Sequence, residues 1–293
     1  MAKKGKKQPS AKQQEKIRDV FVARPFAGLV DEVEWIALRE LVPAATAPLK
    51  LIPEYAAKYG DREVTLATIL PMAYPALSKA DGRILIGLQR HDRSGDVNRD
   101  LSVALLNALE AKPGGTVSVP PLPGQGPRLS DIVLNAPLDI TVHQGFDFWL
   151  DRGQERDDEV NASLETANAS IFPTERLSAA RGAYWCRVPG KAHVRWVLGA
   201  SEDMALNALA RLSAAGTLKL ASNSGADTKF AGMFRAHSLL VPVWDLPSEP
   251  DSTMWEEPFA ELVSRYEAAL GDAPLTGEER RAKQGLLGRQ LSL

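Results

Sequence analysis

The stretches SVALLNALEAKPGGTVSV (residues 102–119) and DMALNALARLSAAGTLKL (residues 203–220) share an apolar pattern, and each contains a Gly-Thr pair. The second stretch begins 101 residues after the first. The same offset pairs residues 128–142 with residues 229–243 without a gap. Upstream, residues 84–88 match residues 194–198 once an insertion of nine residues near His91 is allowed in the first copy. A match that recurs at a fixed offset indicates a duplicated architecture.

Each copy is predicted to run in the order strand, strand, helix, strand, strand, with the helices at 100–111 and 203–214. Hairpin-length turns such as Asp81-Gly82 join the strands, and crossovers long enough for a doubly wound parallel sheet are missing. The sequence therefore predicts an α+β fold of two tandem duplicated modules with mainly antiparallel sheets. Each predicted helix is expected to be followed by a strand after its Gly-Thr pair, and a strand pair at 132–134 and 138–142 is expected to close the first module.

A C-terminal amphipathic helix is predicted to begin near Pro258. Its apolar residues recur at helical spacing and would form one buried stripe; they are Phe259, Leu262, Val263, Tyr266 and Leu270.

The composition pattern predicts five segments along the chain. They are a disordered basic arm (1–24), a first α+β module (25–150), an acidic linker or exposed helix (151–170), a second α+β module (171–247) and a C-terminal helical segment (248–293).

The bulk composition is that of a globular protein, with 44% hydrophobic and 25% charged residues. Cys186 is the only cysteine, so no disulfide can form within the chain, which favours a reducing cytoplasm. No apolar run approaches the length of a membrane helix, and no apolar stretch follows the basic N-terminus as it would in a signal peptide. A cytoplasmic protein without a membrane partner is expected.

Residues 1–18 carry a net charge of +6, which leaves −8 for the rest of the chain. Lysines of such an arm can neutralise phosphates and release counterions, so RNA, DNA or a ribosome is a possible partner. The candidate nucleic-acid-binding residues are Lys3, Lys4, Lys6, Lys7 and Lys12. The alternative is that the arm is only a solubilising disordered end.

Arg235, His237 and Asp245 are the candidate site for a small molecule or for catalysis. Arg235 and His237 are expected on one face of an extended segment, with Asp245 on the next strand. A histidine oriented by a carboxylate is half of an acid–base unit. The alternative is a structural ion pair across a hairpin.

Three further groups have a functional and a structural interpretation. His91, Asp92 and Arg93, with Asp96 and Asp100, could hold a metal or act as acid and base, or could be a solvated loop. Trp185 and Trp196 could stack nucleic-acid bases, or could pack in a core. Cys186 is interpreted as a buried structural thiol, because no nearby residue in the sequence supplies a base. No metal site and no cofactor are predicted.

Four segments carry a resemblance to a known family: PFAGLVDEVEWIALRELVPAATAPL (25–49), TLATILPMAYPAL (65–77), GMFRAHSLLVPVWDL (232–246) and the ending LTGEERRAKQGLLGRQLSL. The chain resembles an uncharacterised family of actinobacterial cytoplasmic proteins, some of which carry the labels SecA subunit or topoisomerase. Both activities need a nucleotide site, and this chain has no Walker A sequence; Lys112-Pro113-Gly114-Gly115-Thr116 has the wrong spacing. Each module is also similar in pattern to the N-terminal domain of SseB-type interaction proteins.

The sequence thus leaves three hypotheses for function. The first is a non-enzymatic cytoplasmic protein that acts through protein or ribonucleoprotein contacts, with an unknown protein partner. The second is a nucleic-acid- or ribosome-associated protein that uses the N-terminal arm. The third is an enzyme or small-molecule binder with a site between the modules.

Overall fold

The computed structural model describes residues 18–90, 94–153, 157–220 and 228–291. Within these ranges the chain forms seven α-helices and ten β-strands. The helices are α1 (Glu32–Glu40), α2 (Pro53–Tyr59), α3 (Val97–Glu110), α4 (Asp158–Asn168), α5 (Glu202–Ala214), α6 (Glu256–Ala269) and α7 (Gly277–Leu287). The strands are β1 (Ala45–Leu49), β2 (Val64–Ile69), β3 (Ala76–Ser78), β4 (Ile84–Gln89), β5 (Thr141–Val142), β6 (Thr174–Arg176), β7 (Ala183–Val188), β8 (Lys191–Trp196), β9 (Lys229–Ala236) and β10 (Leu239–Leu246).

The strands form two five-stranded sheets. The first has the order β3-β4-β2-β1-β5, in which only β2 and β4 are parallel. The second has the order β6-β7-β8-β10-β9 and is antiparallel throughout. The predicted α+β class with mainly antiparallel sheets is confirmed.

A hairpin followed by a helix occurs in both halves of the chain, as β3-β4-α3 and as β7-β8-α5. The two halves differ in the strand that pairs with the second strand of the hairpin, β4 in the first half and β8 in the second. β4 is flanked by β2, which precedes the hairpin and runs parallel, whereas β8 is flanked by β10, which follows the helix and runs antiparallel. The duplication itself therefore stays a prediction.

Two of the strand predictions are wrong. No strand follows directly after either Gly-Thr pair. Of the strand pair predicted at 132–134 and 138–142, the first contributes only a single bridge from Val133 to Leu51, and the second contributes only the two-residue strand β5, which pairs with β1. In the first half of the chain, the Ser118 carbonyl of the predicted strand accepts a hydrogen bond from the Asn107 side chain. The loop of residues 120–127 that follows contains four prolines, which lack the N–H that a ladder needs. The Arg99 side chain instead donates to carbonyls of this loop.

Helix α1 lies between the two sheets. Its Trp35 and Leu38 belong to one continuous apolar core with Ile86 of the first sheet and with Tyr184 and Val241 of the second. The two predicted modules therefore have separate sheets but share a core.

The other face of the second sheet is covered by α5, α6 and α7. Trp185 and Trp244 pack there against α6 residues that include Phe259 and Leu262. The stripe predicted for the C-terminal helix is buried except at Leu270, which is half-buried at the end of α6. Because alternate residues of a strand point to opposite faces, the second sheet is buried on both sides.

Buried charges also join α1 to the second half of the chain. Glu34 is 0% exposed and accepts a hydrogen bond of 2.7 Å from the hydroxyl of Tyr184. The Glu34 carboxylate lies 2.9 Å from Arg176 and 3.4 Å from Arg181, and Arg181 also pairs with Asp31. Burial raises the pKa of the Tyr184 phenol, so this group remains a donor.

The last described residues extend the second sheet at its β9 edge. Gln290 forms a parallel bridge with Met233, and the N–H of Leu291 donates to the Met233 carbonyl at 2.9 Å. Gly232 permits this approach, because a Cβ at that position would collide with the carbonyl oxygen of Arg289.

Two segments outside the predicted modules, the linker (151–170) and the end of the arm (18–24), contact the half of the chain that holds the first sheet. Helix α4 buries Leu164 in a small cluster with Phe146. The N–H of Val22 donates to the Gly95 carbonyl at 2.8 Å. Throughout the described ranges, no helix combines the length and the apolar character needed to cross a membrane.

Candidate functional site

One row of side chains crosses the second sheet on the face directed at the first half of the chain. The register pairs Thr174 with Cys186, Cys186 with His193, His193 with Asp245, and Asp245 with Lys229. Directly opposed residues of antiparallel strands point to the same face, with Cβ atoms about 4.5–5.5 Å apart. The row therefore places a thiol, an imidazole and a carboxylate on three neighbouring strands.

This row forms one wall of a cleft of about 720 Å³. The opposite wall is the end of α1 and the chain that follows it, residues 40–43, with Gln89 at the end of β4. Phe172 and Leu291 stand at its border as exposed apolar side chains. The volume lies in the range of small-molecule sites.

Asp245 contacts two basic side chains of the cleft, His193 and Lys191. One of its carboxylate oxygens lies 2.9 Å from Nδ1 of His193, and the other lies 3.3 Å from Nζ of Lys191. Burial lowers the pKa of His193 despite the opposing effect of Asp245. The imidazole is therefore neutral at neutral pH and can accept a proton.

Cys186 is only 2% exposed but contributes to the wall of the cleft. Burial raises the pKa of its thiol, while the guanidinium of Arg195 acts in the opposite direction. The sulfur is therefore a protonated thiol at neutral pH, and it becomes a nucleophile only if a base removes its proton.

Two cations of the cleft have no carboxylate partner among the described residues. Arg195 donates to the carbonyl oxygen of Leu41 at 2.9 Å, and Lys229 forms no ion pair there. The carboxylate of Glu40, on the opposite wall, lies 3.1 Å from Arg39 and 2.9 Å from His237. The cleft thus holds positive charge that its own acidic side chains leave unneutralised.

A family of unknown function, DUF5926, matches residues 25–293. The chain belongs to this family. Both sheets and the whole cleft lie inside the matched region. The predicted membership of an uncharacterised family is confirmed, whereas the actinobacterial lineage stays a prediction. No curated protein and no solved structure matches this DUF5926 chain.

The DUF5926 structure does not bring the predicted site residues Arg235, His237 and Asp245 together. Arg235 is at the surface and pairs with Glu202 at 2.6 Å, which raises the pKa of Arg235 and lowers that of Glu202. Asp245 lies near the far end of β10, about 20 Å along the strand from the hairpin turn at roughly 3.3 Å per residue.

His237 is a turn residue, and the prediction that it shares an extended face with Arg235 is wrong. His237 and Ser238 have φ values of 48° and 68° and form the two-residue turn between β9 and β10. His237 contacts Glu40 at 2.9 Å and the ring of Phe26, and the hydroxyl of Ser238 donates to the Ala23 carbonyl. These contacts hold the left-handed turn against α1 and the segment before it.

Trp185 and Trp196 pack in the core of the second sheet. Trp185 is 1% exposed, and Trp196 meets the rings of Phe259 and Tyr266 edge-on. Neither indole is on an exposed face where nucleic-acid bases could stack, which excludes that role for the pair.

The remaining candidates are structural or lie outside the described residues. Asp96 accepts from the N–H of Arg99 at the start of α3 and pairs with Arg128, while Asp100 accepts from the N–H of Ser94. In the described ranges no group of three or more His, Cys, Asp or Glu could hold a metal ion. The segment His91–Arg93 and the five candidate lysines of the arm fall outside those ranges.

Sequence reasoning did not place His193 beside Cys186, because the two residues meet only through strand pairing. His193 lies on the next strand, across the turn Pro189-Gly190, where Gly190 has a φ of 82°. A two-residue hairpin fixes the register of its strands, so this turn alone pairs Cys186 with His193. The pairing with Asp245 needed β10 to lie beside β8, which no local signal specifies.

Proposed function

We propose that this DUF5926 chain binds a small amphipathic anion in the cleft between the second sheet and α1. The observation that supports this function best is the positive charge of Arg195 and Lys229, which no described carboxylate neutralises. Arg195 is partly buried, so a ligand anion can replace the solvation that its guanidinium has lost, and the exposed Lys229 adds a second positive charge at the same cleft.

The apolar part of the ligand is argued from the other side chains of the same cleft. Val188, Phe234 and Val243 stand on the sheet, and Leu41 and Val42 face them from the opposite wall. Small-molecule sites typically combine such an apolar lining with a few placed polar groups. A carboxylate, sulfonate or phosphate joined to an apolar body fits this arrangement.

Replacing Lys229 with glutamate is expected to weaken binding of an amphipathic anion about 10- to 100-fold, since a hydrogen bond to a charged group contributes about 1.5–3 kcal/mol. The probe is the dye anilinonaphthalene sulfonate, followed by fluorescence and displaced by octanoate. The matched control is Lys50→Glu, an exposed lysine outside the cleft, which should leave binding unchanged.

The sign of the ligand charge is tested with octylamine, which has the same chain length as octanoate and the opposite charge. Octanoate should displace the dye, and octylamine should not. Equal displacement by both compounds, or equal binding by the Lys229→Glu and wild-type proteins, would contradict the proposal.

A second proposed function is contact with a ribonucleoprotein or a protein partner in the cytoplasm through the N-terminal arm. The charge distribution favours it, because an arm of +6 can reach a polyanion that a body of −8 repels. A lone cysteine, which excludes a disulfide within the chain, favours the reducing compartment.

Deleting residues 1–18 is expected to abolish RNA or DNA binding in a low-salt mobility-shift assay. The reason is that the truncated body carries the net negative charge. Binding by the intact chain should weaken steeply with added salt. Equal retention of nucleic acid by both proteins would place the site on the folded body, and retention by neither would leave the arm as a solubilising tail.

A further inference from the structure

A nucleophile, a base and an orienting carboxylate must stand in that order, and the second sheet places Cys186, His193 and Asp245 in it. They are consecutive members of one cross-strand row on β7, β8 and β10. Asp245 contacts Nδ1 of His193 at 2.9 Å, which leaves Nε2 as the ring nitrogen for the thiol. Side chains directly opposed on antiparallel strands have Cβ atoms about 4.5–5.5 Å apart, so the thiol and the imidazole are neighbours on one face of the sheet.

The cleft supplies the other requirements of acyl transfer. Its volume of about 720 Å³ accommodates an acyl group beside Cys186. Arg195 lies two residues beyond His193 on the same face of β8 and acts on the Cys186 sulfur. A guanidinium in this position can stabilise the negative charge that develops on an acyl oxygen.

We infer that Cys186 is the nucleophile of an acyl-transfer site, that His193 is its base and that Asp245 positions His193, with an ester or thioester of an apolar acid as substrate. This inference rests on the proposed anion-binding function, because the carboxylate released on hydrolysis is itself a small amphipathic anion.

The chemistry balances with water as the only co-reactant. The thiol proton of Cys186 passes to Nε2 of His193 as the sulfur bonds to the acyl carbon, and the ester or thioester bond breaks. The leaving group departs with that proton. Water then attacks the thioester on Cys186, gives one proton to His193, and releases the acid as the thiol regains its proton.

The protonation states agree with this scheme. The raised pKa of the Cys186 thiol and the lowered pKa of His193 describe a neutral thiol beside a neutral imidazole. Other charged groups that face His193 in the cleft are Lys191, Arg195 and Lys229 on the sheet and Glu40 on the opposite wall. Such a pair reacts by general-base transfer rather than as a preformed ion pair.

The test uses the full chain and p-nitrophenyl butyrate, a short acyl ester. Release of p-nitrophenolate gives the rate, and mass spectrometry of acid-quenched peptides locates the butyryl group. Wild type should acylate Cys186, Cys186→Ser should lose the thioester adduct, and His193→Gln should react about 10²- to 10⁴-fold more slowly. His143→Gln is the matched control, since His143 lies in the first half of the chain near Thr46 and outside the cleft.

The pH profile separates a base from a merely structural residue. The wild-type rate should rise through the pKa of His193, below the usual 6.5, and then stay level. In His193→Gln the rate should instead rise only toward the thiol pKa, above the usual 9.0. Asp245→Asn should lower the rate and displace the profile, because it acts through His193.

Three results would overturn the inference: no adduct on Cys186 in wild type, equal rates and profiles for wild type and His193→Gln, or undiminished p-nitrophenolate release by Cys186→Ser.

Circular dichroism and the melting temperature establish that each variant is folded. Displacement of anilinonaphthalene sulfonate by octanoate is measured on the same samples. If octanoate binding persists without acylation, only the acyl-transfer inference fails; if acylation occurs without octanoate binding, the anion-binding proposal fails.

Discussion

Replacing Glu34 with alanine is expected to lower the free energy of unfolding by about 3 kcal/mol. Removing one partner of a buried ion pair typically costs about 3–5 kcal/mol, because the remaining charge stays buried without compensation. The lower end applies here, since Arg176 and Arg181 are each about one-third exposed and keep some contact with water. The Tyr184 hydroxyl also loses its acceptor.

Urea denaturation of wild type and variant measures this loss. The matched control is Glu32→Ala on the same helix, where the carboxylate pairs with the half-exposed Arg24. Because the Arg24 side chain is 40% exposed, water screens this pair, and the control should cost clearly less than Glu34→Ala. A double-mutant cycle of Glu34→Ala with Tyr184→Phe should show coupling. If Glu34→Ala and Glu32→Ala are equally mild, the buried network does not hold α1 to the second sheet.

Replacing Leu262 with alanine is expected to cost about 2–5 kcal/mol of stability. Leu262 is 1% exposed on the face of α6 that covers the second sheet, so the substitution removes buried apolar surface and leaves a cavity. Leu270→Ala tests the same chemistry at the half-buried end of the helix and should cost less. Calorimetric unfolding of both variants gives the comparison.

An unchanged melting temperature for Leu262→Ala would show that α6 does not pack on the sheet in solution. Its apolar face would then be free to bind a partner. A loss that is equal at Leu262 and Leu270 would instead mean that the helix ends later than in the structure.

Short-range patterns in the sequence correctly predicted the elements that depend only on neighbouring residues. The stripe from Phe259 to Tyr266 predicted α6 and its buried face, and Asp81-Gly82 predicted the hairpin of β3 and β4. The α+β class followed from these elements. The strand predicted after Gly115 does not form: the Ser118 carbonyl accepts from the Asn107 side chain, and the proline-rich loop that follows cannot extend a ladder.

The candidate site was predictable only in part. Asp245 was identified, but its partners His193 and Lys191 stand about fifty residues earlier in the chain and meet it only through the pairing of β8 with β10. His237 was misplaced because His-Ser is not a typical turn pair and was assigned to the extended segment, whereas these two residues form the turn itself. Register between distant strands is a property of the whole fold, and short-range periodicity does not contain it.

The left-handed turn at His237 and Ser238 couples the end of the second sheet to a distant part of the chain. Two-residue hairpin turns with positive φ form readily with Asn-Gly or Gly-Gly, while other residues in sparsely populated backbone regions cost about 1–3 kcal/mol each. The contacts that offset this cost come from Glu40 and Ala23, 197 and 215 positions away in the chain. The stability of this turn therefore depends on α1 and the segment before it, so a substitution that loosens α1 should also loosen the far end of the second sheet.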